Sequence, residues 1–470
     1  MKRVLLINPP SPERLGAPLL GLQYVAASLL RHGHEVRVLD AAASYAAPDE
    51  AAILAVVEEF KPDVVGVALF TRWVWHAYRL AGKLRGLGPV LVAGGAHATV
   101  CAAETLEQGF DLAIAGEAEL TFPRVLAALE GGEDLGAIPG VWFRDNSGGI
   151  AHGPCAVAVA DLDELAPPWQ AQHLFDPRGY SAEGSTRIPG GILTSRGCPA
   201  KCTFCANYVT GRSFRYRGAQ NVVDELNAWH VQSGATFFPC WDDALTANIP
   251  RLLELCAALE RDLKFPFSFA AITRANMVTP ALLAALKRAG LVHVNFGVES
   301  GDDAVLRAIR KGIRTEQVVK ALQVARDLEL RTACNFMLGF PEETPEAIGR
   351  TLGFMERIAP LVDTFSTLGV VVPFPGTPIY DLNHEKYGFT RWWLREEFSH
   401  FEPMPPVTDF DRYYRHYIDD RNLELNFFHY TDAHRDAIRA ALRYKGEHNL
   451  RMMGVLRQPV FDPEPVAAGS

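Results

Sequence analysis

No run of about 18 consecutive apolar residues occurs in the 470-residue chain, so no segment reads as a membrane-spanning helix. The apolar start, VLLIN, stops at Pro9-Pro10, too soon for a secretory signal, and the expected location is the cytoplasm. Positive charge is also in short supply. Lys and Arg number 46 against 55 Asp and Glu, leaving a net charge of −9. That balance argues against nucleic acid or an anionic membrane as partner, because both select basic surfaces. Cysteine is sparse at eight residues, too few for a disulfide scaffold in a chain this long. Glycine pairs occur at strand ends, but none belongs to a GxGxxG dinucleotide fingerprint.

What is present is alternation. Through residues 1–140, apolar runs of strand length (VLLIN, EVRVLDA, DVVGVALF, PVLVAGGA, DLAIAG) are separated by segments of helical spacing such as Leu22, Val25, Leu29 and Leu30. Buried strands alternating with helices predict an α/β fold, here a doubly wound, Rossmann-like parallel sheet, with ligands at the carboxyl ends of its strands. Those ends read NPP, FTRW, GGAHAT and GEAE. Residues 141–188 are rich in Gly, Pro and Asp and read as a surface linker, with a hairpin around GVWFRDNSGGIA and a solvated acidic stretch, DLDE, at 161–164. Six further strand candidates follow over 189–385: GGILTSR, TFFPCWDD, FPFSFAAI, HVNFGVES, RTACNFMLGF and FSTLGVVVPF. Six βα units predict a partial (βα)6 TIM barrel, with chemistry at the C-terminal strand ends. Residues 386–470 form a small aromatic-rich helical region (RWWL, RYYRHY, NFFHY) ending in PVAAGS, which is expected to fray.

The stretch SRGCPAKCTFCANYVTGRSF follows the first of the six strands and places Cys198, Cys202 and Cys205 at CxxxCxxC spacing. A tetrahedral zinc site would need a distant fourth ligand, and a disulfide would leave one thiol over. Three thiolates on one short loop can instead hold three corners of a 4Fe–4S cluster, leaving the fourth iron for a substrate.

With Phe204 before its last cysteine, this loop resembles the signature of radical S-adenosylmethionine (SAM) enzymes. The strand ends agree with that family in order. Asp242-Asp243 ends the second strand, Arg274 the third and Glu299-Ser300 the fourth; MLGFPEET ends the fifth, with Glu342 where the family commonly has Gly, and VVPFPGTPIYD the sixth. The resemblance implies that Asp242, Asp243, Arg274, Glu299, Ser300 and Phe204 surround SAM. With its front sheet, the chain over about 1–385 resembles the cobalamin-dependent radical SAM enzymes, or class B methylases. Pro9, Thr71, Arg72, Trp73, Gly94, Gly95, His97, Ala98, Thr99, Gly116 and Glu117 then become candidate corrin contacts. The DxHxxG motif that supplies a cobalt-binding histidine is absent from the front domain; DAHRDA at 432–437 lies in the tail and reads as coincidence. The resemblance therefore implies base-off cobalamin with no protein histidine, with Arg72 or Trp73 shielding the lower face and His76 read as an ordinary helix-face residue.

The implied reaction begins with cluster-driven cleavage of SAM to a 5′-deoxyadenosyl radical, which abstracts hydrogen from a small-molecule substrate. Methylcobalamin then methylates an unactivated carbon, or phosphorus, and the electrons come from a donor such as flavodoxin or ferredoxin. Cyclisation or rearrangement without methyl transfer, and a non-catalytic corrinoid or redox sensor, remain alternatives. Cys240 and Cys334 are read as strand-end residues pointing toward the barrel mouth or as small buried residues. Trp241, Tyr208 and Phe374 are read as pocket lining or packing, and Trp392-Trp393 as a cap over the site or core packing.

Overall fold

The computed structural model describes residues 1–11, 15–180, 189–396, 422–452 and 454. The chain divides into two units: Met1–Ile272 with Ala281–Val292 and Pro373–Met404, and Thr273–Pro280 with His293–Val372 and Pro405–Ser470.

In the first unit, β1 (Arg3–Asn8), β2 (Glu35–Asp40), β3 (Val64–Ala68), β4 (Val90–Gly94) and β5 (Leu112–Ile114) form a parallel sheet. Val4 to Ile7 are wholly buried, as strands covered by helices on both faces require. The order β2-β1-β3-β4-β5 puts the switch of winding direction between β1 and β3. The sheet does not end there. Strands β6 (Val141–Arg144) and β7 (Ile150–His152) are the expected hairpin, and they extend it antiparallel from β5. The rest of the stretch read as linker is also partly core. Leu162 and Leu165 pack on Leu20 and Tyr24 of the first helix (Leu20–Arg31), while Ala171, Phe175 and Tyr180 join the main front core. Its apolar residues come singly among Pro and Asp, so no periodicity announced them.

The first expected barrel strand is reduced to a single parallel bridge, Ile192 with Cys240. The chain then turns into β8 (Ser195–Arg196), which pairs antiparallel with β9 (Arg215–Tyr216). Strands β10 (Phe237–Cys240) and β11 (Ser268–Thr273) pair in parallel. Trp392–Leu394 is a short 3-10 turn with both tryptophans buried.

In the second unit, β12 (Leu291–Glu299), β13 (Arg331–Leu338) and β14 (Thr364–Val370) run parallel, with β13 between its two neighbours. The helix Asp432–Met452 lies beside β14, where the Asn449 amide accepts from Phe365 N–H at 2.9 Å and donates to its carbonyl at 2.8 Å. That side chain stands in for a neighbouring strand. NFFHY is not helical: the helix Asn422–Leu425 stops there, and Asn426 and His429 take positive φ. RYYRHY and PVAAGS lie outside the described residues.

Candidate active site

The cysteine loop is built on the β8–β9 hairpin. Gly197 adopts φ +88°, and a Cβ there would lie 2.2 Å from the Ser213 carbonyl, so only glycine lets the two loop arms close. Cys198 N–H reaches Gly211 O at 3.1 Å. The acidic pair grips the base of the loop. Asp242 accepts from Thr194 N–H at 2.6 Å, the Thr194 hydroxyl at 2.5 Å and the Ser195 hydroxyl at 2.6 Å. Asp243 accepts from Gly197 N–H at 2.8 Å and the Thr210 hydroxyl at 2.6 Å. Asp242 is thus buried and occupied by the loop's first strand, whereas Asp243 remains exposed.

Cys202 is buried, Cys198 half-buried and Cys205 exposed, and none of the three is in a disulfide. The Cys205 thiol is pushed up to about 11, by desolvation first and then by the neighbouring Cys202 and Cys198. A thiolate at Cys205 would therefore be stabilised by a metal's positive charge. Among the described residues, the one His/Cys/Asp/Glu trio with ligand atoms within 4.8 Å of one another is His97, Cys101 and Glu104. Three thiols from one short loop are a donor set that fits three irons of a 4Fe–4S cluster.

The carboxyl edge of the front sheet is tied together from within. Gly95, at φ +94°, would bring a Cβ to 3.1 Å from Leu69 O, which brings the ends of β3 and β4 side by side. His97 is fully buried between them, its Nδ1 3.0 Å from the Thr71 hydroxyl and its Nε2 3.0 Å from Tyr78 OH and 3.2 Å from Glu104 Oε1. Burial lowers its pKa, so the imidazole is neutral. The network then assigns the proton to Nε2, facing Glu104, while Nδ1 accepts from Thr71. Trp393 N–H donates to the same Glu104 oxygen at 2.8 Å. The His97–Cys101–Glu104 trio is accordingly a hydrogen-bonded brace, with both imidazole nitrogens engaged. Gly116 N–H reaches the Thr99 hydroxyl at 3.0 Å, joining the GGAHAT and GEAE loops. Arg72 lies over the Trp73 ring at 5.1 Å, and His76 sits on the helix Val74–Leu84. Pro9 directly follows β1, and Ala98 is buried.

Three links join this edge to the cysteine loop. Tyr208, three residues after Cys205, hydrogen-bonds Thr71, and its hydroxyl is raised to about 12, chiefly by burial. Glu117 is buried against Arg196 Nη1 at 3.0 Å and Arg215 Nη1 at 2.8 Å, while Glu119 takes Arg196 Nη2 at 2.7 Å. Two arginines flanking the loop are therefore neutralised by two glutamates of the front domain. Lastly, Ile379 N–H from the segment after β14 donates to Thr203 O at 3.0 Å, inside the loop. Phe204 is half-buried there, and Phe374 lies against Trp392. The sequence reading took Glu117 as a candidate corrin contact and did not find its arginine partners, between which the structure buries its carboxylate.

In the second unit, Glu299 ends β12 at a bulge with φ +73°, buried and paired with Lys311 Nζ at 2.6 Å. Ser300 is wholly buried, 3.1 Å from the Thr351 hydroxyl. Arg274 directly follows β11 and reaches toward Gly312, where a Cβ would meet its Nη2 at 3.3 Å. The loop after β13 holds a residue the sequence did not single out. Glu343 is buried, accepts from Gly339 N–H at 2.7 Å and Phe340 N–H at 3.1 Å, and has a second oxygen without a protein partner. Burial pushes its pKa up to about 7. Tyr430 OH bonds Gly339 O at 2.6 Å, clasping this loop from the C-terminal segment. Its neighbour Glu342 takes φ +64° where the family commonly has Gly.

The strand-end expectation for two cysteines is corrected. Cys240 is the last residue of β10 but lies on its buried face, and Cys334 is fully buried in the middle of β13. Side-chain alternation puts both on the helix-covered side.

Comparison with known proteins agrees with this architecture. The B12 binding domain model matches residues 16–126 and the Radical SAM superfamily model residues 192–355. An uncharacterized methyltransferase of Pyrococcus horikoshii is 29% identical over 391 residues, covering 81% of this chain and 82% of that protein. The anaerobic magnesium-protoporphyrin IX monomethyl ester cyclase of Rubrivivax gelatinosus is 25% identical over 414 residues, covering 82% and 72%. The fold is also that of the radical SAM methyltransferase TsrM of Kitasatospora setae, solved with tryptophan and a SAM analogue, at a TM-score of 0.65 and 20% identity, over 83% of this chain and 77% of that one. The chain thus carries a B12 binding domain followed by a radical SAM domain, the domain pair of the cobalamin-dependent radical SAM enzymes.

Proposed function

We propose that the protein is a C-methyltransferase, or a methyltransferase acting on phosphorus, that modifies a small biosynthetic intermediate with SAM, a 4Fe–4S cluster and base-off cobalamin. The observation that carries this reading is the bonding of the cysteine loop to the front sheet's carboxyl edge, through Tyr208–Thr71 and Glu117–Arg196–Arg215 within one unit. Cys198, Cys202 and Cys205 would hold the cluster; Phe204, Asp243, Arg274, Glu299 and Ser300 are the candidates for SAM, and Asp242 orders the loop. The ends of β1, β3, β4 and β5 would take the corrin. When bound, these groups supply one-electron cleavage of SAM and a transferable methyl group. The chain's own part is orientation: the brace through His97 fixes Thr71, and the glutamate–arginine lock fixes the loop against the edge that Thr71 belongs to. We place the enzyme in the cytoplasm, with a flavodoxin- or ferredoxin-type donor.

The test is anaerobic reconstitution with iron, sulfide, hydroxocobalamin and SAM. The expected result is iron–sulfur and corrin absorbance together, 5′-deoxyadenosine release, and a product heavier by one CH2 with two SAM consumed per turnover. Zinc at the cysteine loop, or no corrin uptake, would refute it. The relationship to a cyclase supports a second reading, cyclisation without methyl transfer, for which the product would lose hydrogen and gain no carbon.

A further inference from the structure

We propose that Trp241, flanked by Ile272, is a stacking platform for a flat, apolar ring system in the substrate. This deepens the reading above, which it rests on, by naming a substrate class. Phe237, Pro239 and Trp241 point one way from β10 and its continuation, while Phe238, Cys240 and Asp242 point the other. The register pairs Phe237 with Ser268 and Pro239 with Ala270, so the next inward position beside Trp241 is Ile272. The opposite face is covered: Cys240 and Phe269 pack with Leu252, Leu255 and Leu286 of the flanking helices. The Trp241 face is not. Trp241 is 52% exposed and Ile272 40%, at the same sheet edge where Asp242 grips the cysteine loop.

An indole left open to this extent is ordinarily mobile, but this one is fixed. Its N–H donates to Gly190 O at 2.8 Å, and its own backbone N–H to Ile192 O at 2.9 Å. The pyrrole side lies against Gly191, where a Cβ would come within 2.4 Å of the ring nitrogen and where φ of +120° already demands glycine. With its one donor committed inward, the indole offers incoming molecules only π surface, and Ile272 adds only aliphatic surface. Such a pair recognises planarity and hydrophobicity, not charge or hydrogen bonding.

The experiment uses full-length protein labelled with 5-fluorotryptophan, reconstituted with cluster and hydroxocobalamin and kept oxidised. The fluorine resonance missing from Trp241→Phe is that of Trp241. Adding 2-naphthol should move it in a saturable way, and decahydro-2-naphthol, with the same skeleton but no flat ring, should leave it in place. Ile272→Asp, on the exposed neighbour, should weaken 2-naphthol binding roughly three- to tenfold. A resonance that ignores 2-naphthol, or that responds equally to both alcohols, overturns the proposal. Neither result touches the functional reading, which stands or falls on cluster, corrin and SAM cleavage in the unlabelled enzyme.

Discussion

Glu117→Gln tests whether the front domain and the cysteine loop are held together by buried charge. The substitution keeps the shape of the side chain and removes one negative charge from a site 2% exposed. Arg196 retains Glu119 at 2.7 Å, so the loss falls mainly on Arg215, whose guanidinium is only 10% exposed and would be left with the carbonyls of Val159 and Thr210. Breaking a buried pair by removing one partner costs about 3–5 kcal/mol, and the surviving Glu119 contact puts the expectation at the lower end, about 3 kcal/mol. Removing both partners, in Glu117→Gln with Arg215→Gln, leaves no uncompensated charge. The double variant should therefore be less destabilised than the sum of the singles, by roughly 1–3 kcal/mol. Urea denaturation of the apo-protein, followed by circular dichroism, reads both quantities from the first transition. Because the charges are buried, the difference should persist in 1 M salt, where exposed pairs are screened within about 3 Å. A single variant within about 0.5 kcal/mol of wild type, or additive singles, would refute the lock.

Cys202→Ala should abolish iron–sulfur absorbance and 5′-deoxyadenosine formation while cobalamin binding, measured by corrin absorbance after gel filtration, stays largely intact. Loss of both together would undermine the separation of the two sites. Asp242→Ala removes the acceptor of three bonds at the loop base, and iron content per chain after reconstitution should fall well below that of wild type, with Asp243→Asn milder. Glu343 carries the pH dependence. Its folded pKa of about 7 lies above the ordinary 4.5, so the folded state binds the extra proton between those values and stability falls as pH rises through the window. The full loss is on the order of 3 kcal/mol, and Glu343→Gln should remove it, giving a flatter urea midpoint between pH 5 and 8. Parallel profiles for the two proteins would show that the carboxyl does not titrate there.

Local signals were legible in the sequence. The strand–helix alternation of the front sheet and its hairpin are short-range patterns, and the structure has both where they were expected, unlike the first barrel strand. The lock was not legible, because Glu117 meets Arg196 and Arg215 across 79 and 98 residues, and buried charge leaves no periodicity. Asp242-Asp243 was found by motif, yet its hold on Thr194 and Gly197 depends on the first barrel strand shrinking to one bridge, which freed Ser195 to turn into a hairpin. Glu343 carries no signal of its own, because nothing in GFPEET distinguishes the exposed acid, Glu342, from the buried one.

Side-chain alternation, by contrast, was available and decides more than motif reading did. In FFPCW, residues two apart share a face, so Cys240 goes with Phe238 and Trp241 with Phe237 and Pro239. Once Phe238 is assigned to the helix-covered core, Cys240 is buried with it, and the residue left open at the end of β10 is the tryptophan. The same rule in RTACNFML places Cys334 with Phe336 and Leu338, and leaves Asn335 and Met337 on the other face. Asn335, and Asn295 on β12, each keep a buried amide oxygen without a protein partner, which apolar packing against helices would not tolerate. A polar residue among apolar alternates thus marks the face that is not packed on helices. By that criterion Trp241 and Ile272 lie on the open face of β10 and β11, and Cys240 and Cys334, each one residue out of step with the open face of its own strand, do not.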